Sequence, residues 1–140
     1  MVDESIKTVR SLIGKLPMFG ICVGHQLIAC PLEADICKLK FGHHGINHPV
    51  RNLATKQIEI TSQNHGFAVD EASLAKVGAV ATHINLNDQS LEGFAHNTHP
   101  LFAVQYHPEA APSPHDAEYL FSHCVRMIEN GKVPNGLIPA

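Results

Sequence analysis

The sequence predicts an α/β domain, a mixed sheet flanked by helices. Three observations carry that prediction. An apolar run at residues 18–22 passes through Gly20-Ile21-Cys22-Val23-Gly24 into a helical segment, the order strand-turn-helix. Four further short runs, 57–61, 80–85, 91–96 and 101–106, are apolar or alternating and are separated by turn residues. An amphipathic helix lies near the end of the chain. The chain has 140 residues, 44% apolar and 16% charged against a usual charged share of about 25%. That fits one domain with a single core and excludes a disordered chain.

The first helix is read at residues 3–16, where Ile6, Val9, Ile13 and Leu16 share one face. Asp3 can cap it, and Gly14 and Pro17 end it. Residues 18–22 read as a buried strand and 24–30 as a helix that Pro31 stops. Residues 38–49, rich in Gly and His, read as a loop. Residues 57–61 alternate as a strand, and 80–85 with 91–96 form a hairpin around Asn87-Asp88. Residues 101–106 are another apolar strand. The last helix has Ser113 as N-cap, Pro114 at its first position and Asp116 in its first turn. Ala117, Leu120, Phe121, Cys124 and Ile128 line one face, and Gly131 ends it. The domain is therefore read as residues 1–131, with 132–140 an irregular tail carrying Pro134, Gly136 and Pro139.

Ten basic residues stand against thirteen acidic ones, a net charge of −3, and no basic run occurs. The chain is thus not expected to bind nucleic acid or an anionic membrane surface. No stretch reaches the roughly 18–20 apolar residues of a membrane span. Met1-Val2-Asp3-Glu4 lacks the basic start of a signal peptide. Cys22, Cys30, Cys37 and Cys124 fit neither a zinc finger nor a disulfide framework. The expected setting is the reduced cytoplasm.

Chemistry concentrates at two places. Gly20-Ile21-Cys22-Val23-Gly24 is an elbow that would hold Cys22 on a sharp strand-to-helix turn. Glycines two residues to either side give clearance, and the following helix N-terminus favours thiolate. In His107-Pro108-Glu109 the proline biases His107 toward extended backbone, so His107 and Glu109 point the same way. A nucleophilic thiol needs a base, and the base needs a group to orient it. Both motifs follow apolar strands, which allows them to meet at one sheet edge. His43, His44 and His48 are read as loop residues rather than metal ligands, because no carboxylate or Cys stands near them in sequence. Cys30, Cys37 and Cys124 are read as small core hydrophobes.

Four blocks in order carry a resemblance: Phe19-Gly20-Ile21-Cys22-Val23-Gly24-His25-Gln26, Lys38-Leu39-Lys40-Phe41-Gly42-His43-His44-Gly45, Thr61-Ser62-Gln63-Asn64-His65-Gly66-Phe67-Ala68-Val69-Asp70 and Gln105-Tyr106-His107-Pro108-Glu109-Ala110. They resemble the class I (triad) glutamine amidotransferases, and the middle two resemble the glutaminase domain of the carbamoyl-phosphate synthetase small subunit. Pro112-Ser113-Pro114-His115-Asp116 resembles the segment that follows the triad there.

The resemblance implies Cys22 as nucleophile, His107 as general base and acid, and Glu109 as orienter. It implies Val23 as an oxyanion-hole donor, and Gln26, Asn64, Gly66 and Phe67 at the substrate L-glutamine. The implied partner is a large carbamoyl-phosphate synthetase subunit. No cofactor is implied in this chain, and ATP and metal are implied on that partner. A complete domain of this kind begins with further βα units, one of whose loops supplies a second oxyanion donor. The expectation is therefore an incomplete class I glutamine amidotransferase domain with the first βα units missing. Residues 18–22 would then form a bare apolar sheet edge through which the chain self-associates. The alternative to an active glutaminase is an inactive binding or scaffold module for a synthetase subunit.

Overall fold

The structure is a computed structural model that describes residues 2–110 and 118–139. In chain order it contains α1 (Val2–Leu12), β1 (Met18–Ile21), α2 (Val23–Ala29), β2 (Ile36–Asn52), β3 (Ile58–Val69), β4 (Ala79–Asn85), β5 (Leu91–His96), β6 (Leu101–Val104) and α3 (Glu118–Asn130). Short 3₁₀ turns at Glu71–Ser73, Ala75–Val77 and Pro108–Ala110 complete it. No helix among the described residues is long and apolar enough to cross a membrane.

The strands form one six-stranded sheet in the order β1-β6-β5-β4-β2-β3. β1 runs parallel to β6, and every other neighbouring pair is antiparallel, so the sheet is mixed as expected. β1 stands at one edge and β3 at the other. The period of two along β6 divides the core. Leu101 and Ala103 join a cluster with Ile28, Ala29, Leu74 and Phe94, against which Val9 of α1 and Ile13 just after it pack. Phe102 and Val104 join Val50, Tyr106, Leu120 and Met127 on the α3 side. Each such large side chain taken fully from water stabilises the fold by about 1.5–3 kcal/mol.

Several expectations are corrected. Residues 38–49 are not a loop but the middle of the 17-residue strand β2. Their glycines mark bulges: register shifts fall between Lys38 and His43 and between Gly45 and His48, with Gly42 at φ +70° and Gly45 at φ +126°. Each bulge resets which face a side chain takes, so no strand period is visible in the sequence. β3 reaches well beyond residues 57–61, and Asn64, His65 and Gly66 lie within it. The buried face of α3 is Leu120, His123 and Met127, while Phe121 and Ile128 are exposed. The expected cap at Ser113, with Pro114, Asp116 and Ala117, lies outside the described residues. Cys37 is exposed, not a core residue, and Cys30 and Cys124 are half-buried. Residues 132–139 are irregular, yet Leu137 is buried in the α3-side cluster.

Candidate active site

Cys22 joins β1 to α2 with φ 56° and ψ −108°, a left-handed conformation that a non-glycine residue adopts only under strain. Its N–H donates to the Val104 carbonyl at 2.9 Å, which continues the β1–β6 ladder into the elbow. A Cβ on Gly20 would come within 2.7 Å of the Gly24 carbonyl oxygen and 2.8 Å of Ile28 Cδ1, so α2 can approach β1 only over glycine. At Gly24 an added Cβ would meet nothing within 4 Å. Clearance is therefore needed at Gly20 alone.

His107 leaves the same end of the sheet. Because β1 and β6 are parallel neighbours with Ile21 opposite Val104, the chain beyond each strand emerges side by side. The His107 N–H donates to the Ser62 carbonyl at 2.9 Å, tying it to β3. His107 Nδ1 lies 2.8 Å from Glu109 Oε1. That pairing forms through the 3₁₀ turn at Pro108–Ala110, not through the extended backbone that was expected. With Nδ1–H donating to the carboxylate, Nε2 carries the lone pair that can take a proton.

Burial pushes the Cys22 thiol above its ordinary range, against the Val23 N–H and the Gln105 amide, which favour the thiolate. The charges of Glu109 and Glu92 push it further up. The first N–H of α2 does favour the thiolate, but burial outweighs it, so the thiol is raised rather than lowered as expected.

Gln105, fully buried, links the elbow to the other residues of the site. Its Nε2 donates to the Cys22 carbonyl at 3.2 Å and lies 3.9 Å from Sγ. Its Oε1 accepts from Gln26 Nε2 at 3.1 Å, and the same Gln26 amide reaches the Phe67 carbonyl at 3.3 Å. Cys22, Val23, Gln26 and Phe67 are thereby brought into one neighbourhood, with the Phe67 ring half-exposed. Gly66 precedes Phe67 on β3. Asn64 is not part of this chain of contacts: it is exposed, and its Oδ1 lies 2.9 Å from His44 Nδ1. Sequence reasoning missed Gln105. No local pattern marks it: it lies just past β6 in a run buried on both faces, and its partners Cys22 and Gln26 are distant in sequence.

The inner face of β3 was missed altogether. Glu59, Thr61, Gln63 and His65 point inward and are buried, while Ile58, Ile60 and Phe67 face out. Glu59 accepts from Tyr106 Oη at 3.0 Å and from Tyr119 Oη. Gln63 Nε2 donates to Glu92 on β5. No carboxylate stands near the β2 histidines in sequence, but the fold brings two to His43 from distant positions. His43 Nε2 is 2.7 Å from Asp88 Oδ2, and His43, His65 and Glu92 meet in the interior.

Comparison with known proteins agrees with this architecture. The chain is 50% identical over 131 residues to the pyrimidine-specific small chain of carbamoyl phosphate synthase from Halalkalibacterium halodurans, and 53% identical over 131 residues to the small chain from Bacillus cereus. Each alignment covers 94% of this chain and 36% of the relative, so the chain spans about a third of those proteins. Among solved structures, a glutamine amidotransferase from Thermotoga maritima superposes with TM-score 0.65 at 17% identity, over 91% of this chain and 56% of that one. The glutaminase domain of Trypanosoma brucei CTPS, solved with bound acivicin, gives TM-score 0.70 at 14% identity, over 98% and 72%. These two likenesses show the fold. Residues 1–127 match the family described as glutamine amidotransferase class-I, and the chain belongs to that family.

Proposed function

We propose that this chain hydrolyses the side-chain amide of L-glutamine and hands the ammonia to a large carbamoyl-phosphate synthetase subunit. The observation that carries this reading is the emergence of Cys22 and the His107–Glu109 pair from adjacent parallel strands. His107 Nε2 takes the Cys22 proton as Sγ attacks the carboxamide carbon. The oxyanion that forms faces the Val23 N–H. His107 returns the proton to the leaving nitrogen, ammonia departs, and a γ-glutamyl thioester remains on Cys22. Water then attacks with His107 as base, glutamate leaves, and the thiol is regenerated. Glu109 orients His107 and stabilises its charged form.

Gln26, Asn64, Gly66 and Phe67 are proposed to hold the α-amino and α-carboxylate ends of glutamine. The chain itself needs no cofactor for these steps. ATP and metal belong to the synthetase partner, the setting is cytoplasmic, and the product feeds pyrimidine or arginine synthesis. Among the described residues β1 is paired on one side only, which supports self-association by strand addition. The test is glutamate release by the chain, alone and with a large subunit from one of its relatives. Hydrolysis that disappears in Cys22→Ala supports the reading, and no release in either setting overturns it.

A second reading is a module that docks on a synthetase subunit without hydrolysing glutamine. One observation favours it: Cys22 is 8% exposed with its thiol pushed up rather than down. Co-purification with the large subunit in the absence of any glutamate release would select it.

A further inference from the structure

Four atoms able to act as electron-pair donors converge between β2, β3 and β5. His43 Nδ1 and His65 Nε2 face each other at 3.2 Å. Glu92 Oε1 lies 3.3 Å from the first and 3.8 Å from the second. Gln63 Oε1 lies 3.0 Å from His43 Nδ1 and 2.8 Å from His65 Nε2. The tautomers are set from outside. His43 Nε2 faces Asp88 Oδ2 at 2.7 Å, and His65 Nδ1 faces the Phe67 carbonyl at 2.7 Å. A neutral ring so bonded places its N–H on the outer acceptor and turns a lone pair inward. Against the burial that lowers it, Glu92 and Asp88 raise the pKa of His43 to about 9, so a bound ion would take the place of the proton on its Nδ1. The Gln63 amide is fixed likewise, because its Nε2 donates to Thr61 Oγ1 and to Glu92 Oε2. Glu92 is fully buried, and its Oε1 accepts no hydrogen bond.

We propose that His43, His65 and Glu92, with Gln63 as fourth donor, form a binding site for one divalent transition-metal ion of the zinc class. The spacing selects the occupant. Ligands about 2.0–2.1 Å from a tetrahedral zinc stand about 3.3–3.4 Å apart. The observed separations, 2.8 to 3.8 Å, bracket that value. A water molecule bonded to all four would hold them about 4.6 Å apart, from its hydrogen-bond length of about 2.8 Å. A single proton on His43 relieves the contacts of that ring and leaves His65 Nε2 against two oxygens. The outer partners are those that metal-bound imidazoles carry, a carboxylate on one ring and a backbone carbonyl on the other. Asp88 is 43% exposed and gives the ion a way in. Three strands contribute ligands, so the ion would clamp the part of β3 that carries Asn64, Gly66 and Phe67. The proposal does not depend on the hydrolysis reading.

The experiment is Co²⁺ and Zn²⁺ titration of the full chain in the Cys22→Ser background, which removes the one buried thiol. The site predicts one equivalent bound, with the intense visible bands of tetrahedral Co²⁺ and none of the near-ultraviolet absorption of a thiolate ligand. Glu92→Gln should weaken binding at least a hundredfold and Asp88→Asn ten- to hundredfold. The exposed His44→Ala should bind as the parent does. Failure to bind, weakly absorbing octahedral Co²⁺, or loss of binding in His44→Ala would overturn the proposal. Should Glu92→Gln not fold, the parent spectrum and the Asp88→Asn affinity still decide it.

Discussion

Gln105 Nε2 donates to the Cys22 carbonyl at 3.2 Å and stands 3.9 Å from its sulfur, so one buried amide both braces the strained elbow and faces the thiol. Gln105→Ala should raise the pH midpoint for Cys22 alkylation, because it removes a group that favours the thiolate. kcat/KM for glutamine should fall about ten- to hundredfold, the loss of one hydrogen bond to a charge-bearing group. The pH profile of iodoacetamide alkylation checks the first and steady-state glutaminase kinetics the second. An unchanged midpoint would mean that the amide serves only the backbone.

Gly20 and Gly24 flank Cys22 symmetrically in sequence, yet their alanine variants should differ in sign. Gly20→Ala drives a Cβ within 2.7 Å of backbone and should destabilise by about 1–3 kcal/mol, as overpacking does. Gly24→Ala, inside α2 with nothing within 4 Å, should stabilise by about 0.5–1 kcal/mol through helix propensity. Urea unfolding of both variants decides it. Equal losses would show that Gly24 is also held by a close contact.

That asymmetry marks how far the sequence was readable. The elbow, the His-Pro-Glu motif and the β4–β5 hairpin follow from local patterns of apolar runs and turn residues, and the sequence allowed the two motifs to meet at one sheet edge; the parallel pairing of β1 with β6 is what the structure adds. β2 did not, because bulges at Gly42 and Gly45 break the period that would have announced a strand. The inner face of β3 did not, because its residues are Glu59, Thr61, Gln63 and His65, which pattern reading assigns to solvent. What makes them buried is partnership with Tyr106, Tyr119, His43 and Glu92, each distant in sequence. Gln105 was missed for the same reason. Its partners Cys22 and Gln26 lie on another element.

His25 is fully buried, edge-on to Phe94 at 4.8 Å between ring centroids. Burial lowers its pKa to about 3, with the charge of His65 adding to the effect. The folded chain therefore holds it neutral, while the unfolded chain protonates it near its ordinary value of about 6.5. Its contribution is complete above about pH 6.5 and is lost as pH falls toward 3, at about 1.4 kcal/mol per unit in that window. His25→Leu should flatten the acid limb of the stability curve, measured by urea unfolding from pH 7 to 4. An identical slope would place the proton uptake elsewhere.

His107→Ala should cost more activity than Glu109→Ala. In the proposed mechanism His107 moves the protons, and general acid–base catalysis is worth about 10²–10⁴-fold. Glu109, half-exposed, holds the ring through one 2.8 Å contact. Glutaminase rates of the two variants give the comparison. Equal losses would mean that Glu109 does more than orient.

The central claim, that Cys22 and His107 form a working nucleophile–base pair aimed at glutamine, is tested by competitive labelling. Exposed Cys37 should react first with iodoacetamide, because Cys22 is buried and its thiol is pushed up. A glutamine-shaped electrophile should reverse that order, modifying Cys22 alone, and His107→Ala should abolish the reversal. Peptide mass spectrometry reads both reagents in one digest. Glutamine-shaped label on Cys37 with Cys22 untouched, or labelling of Cys22 that persists in His107→Ala, would contradict the account.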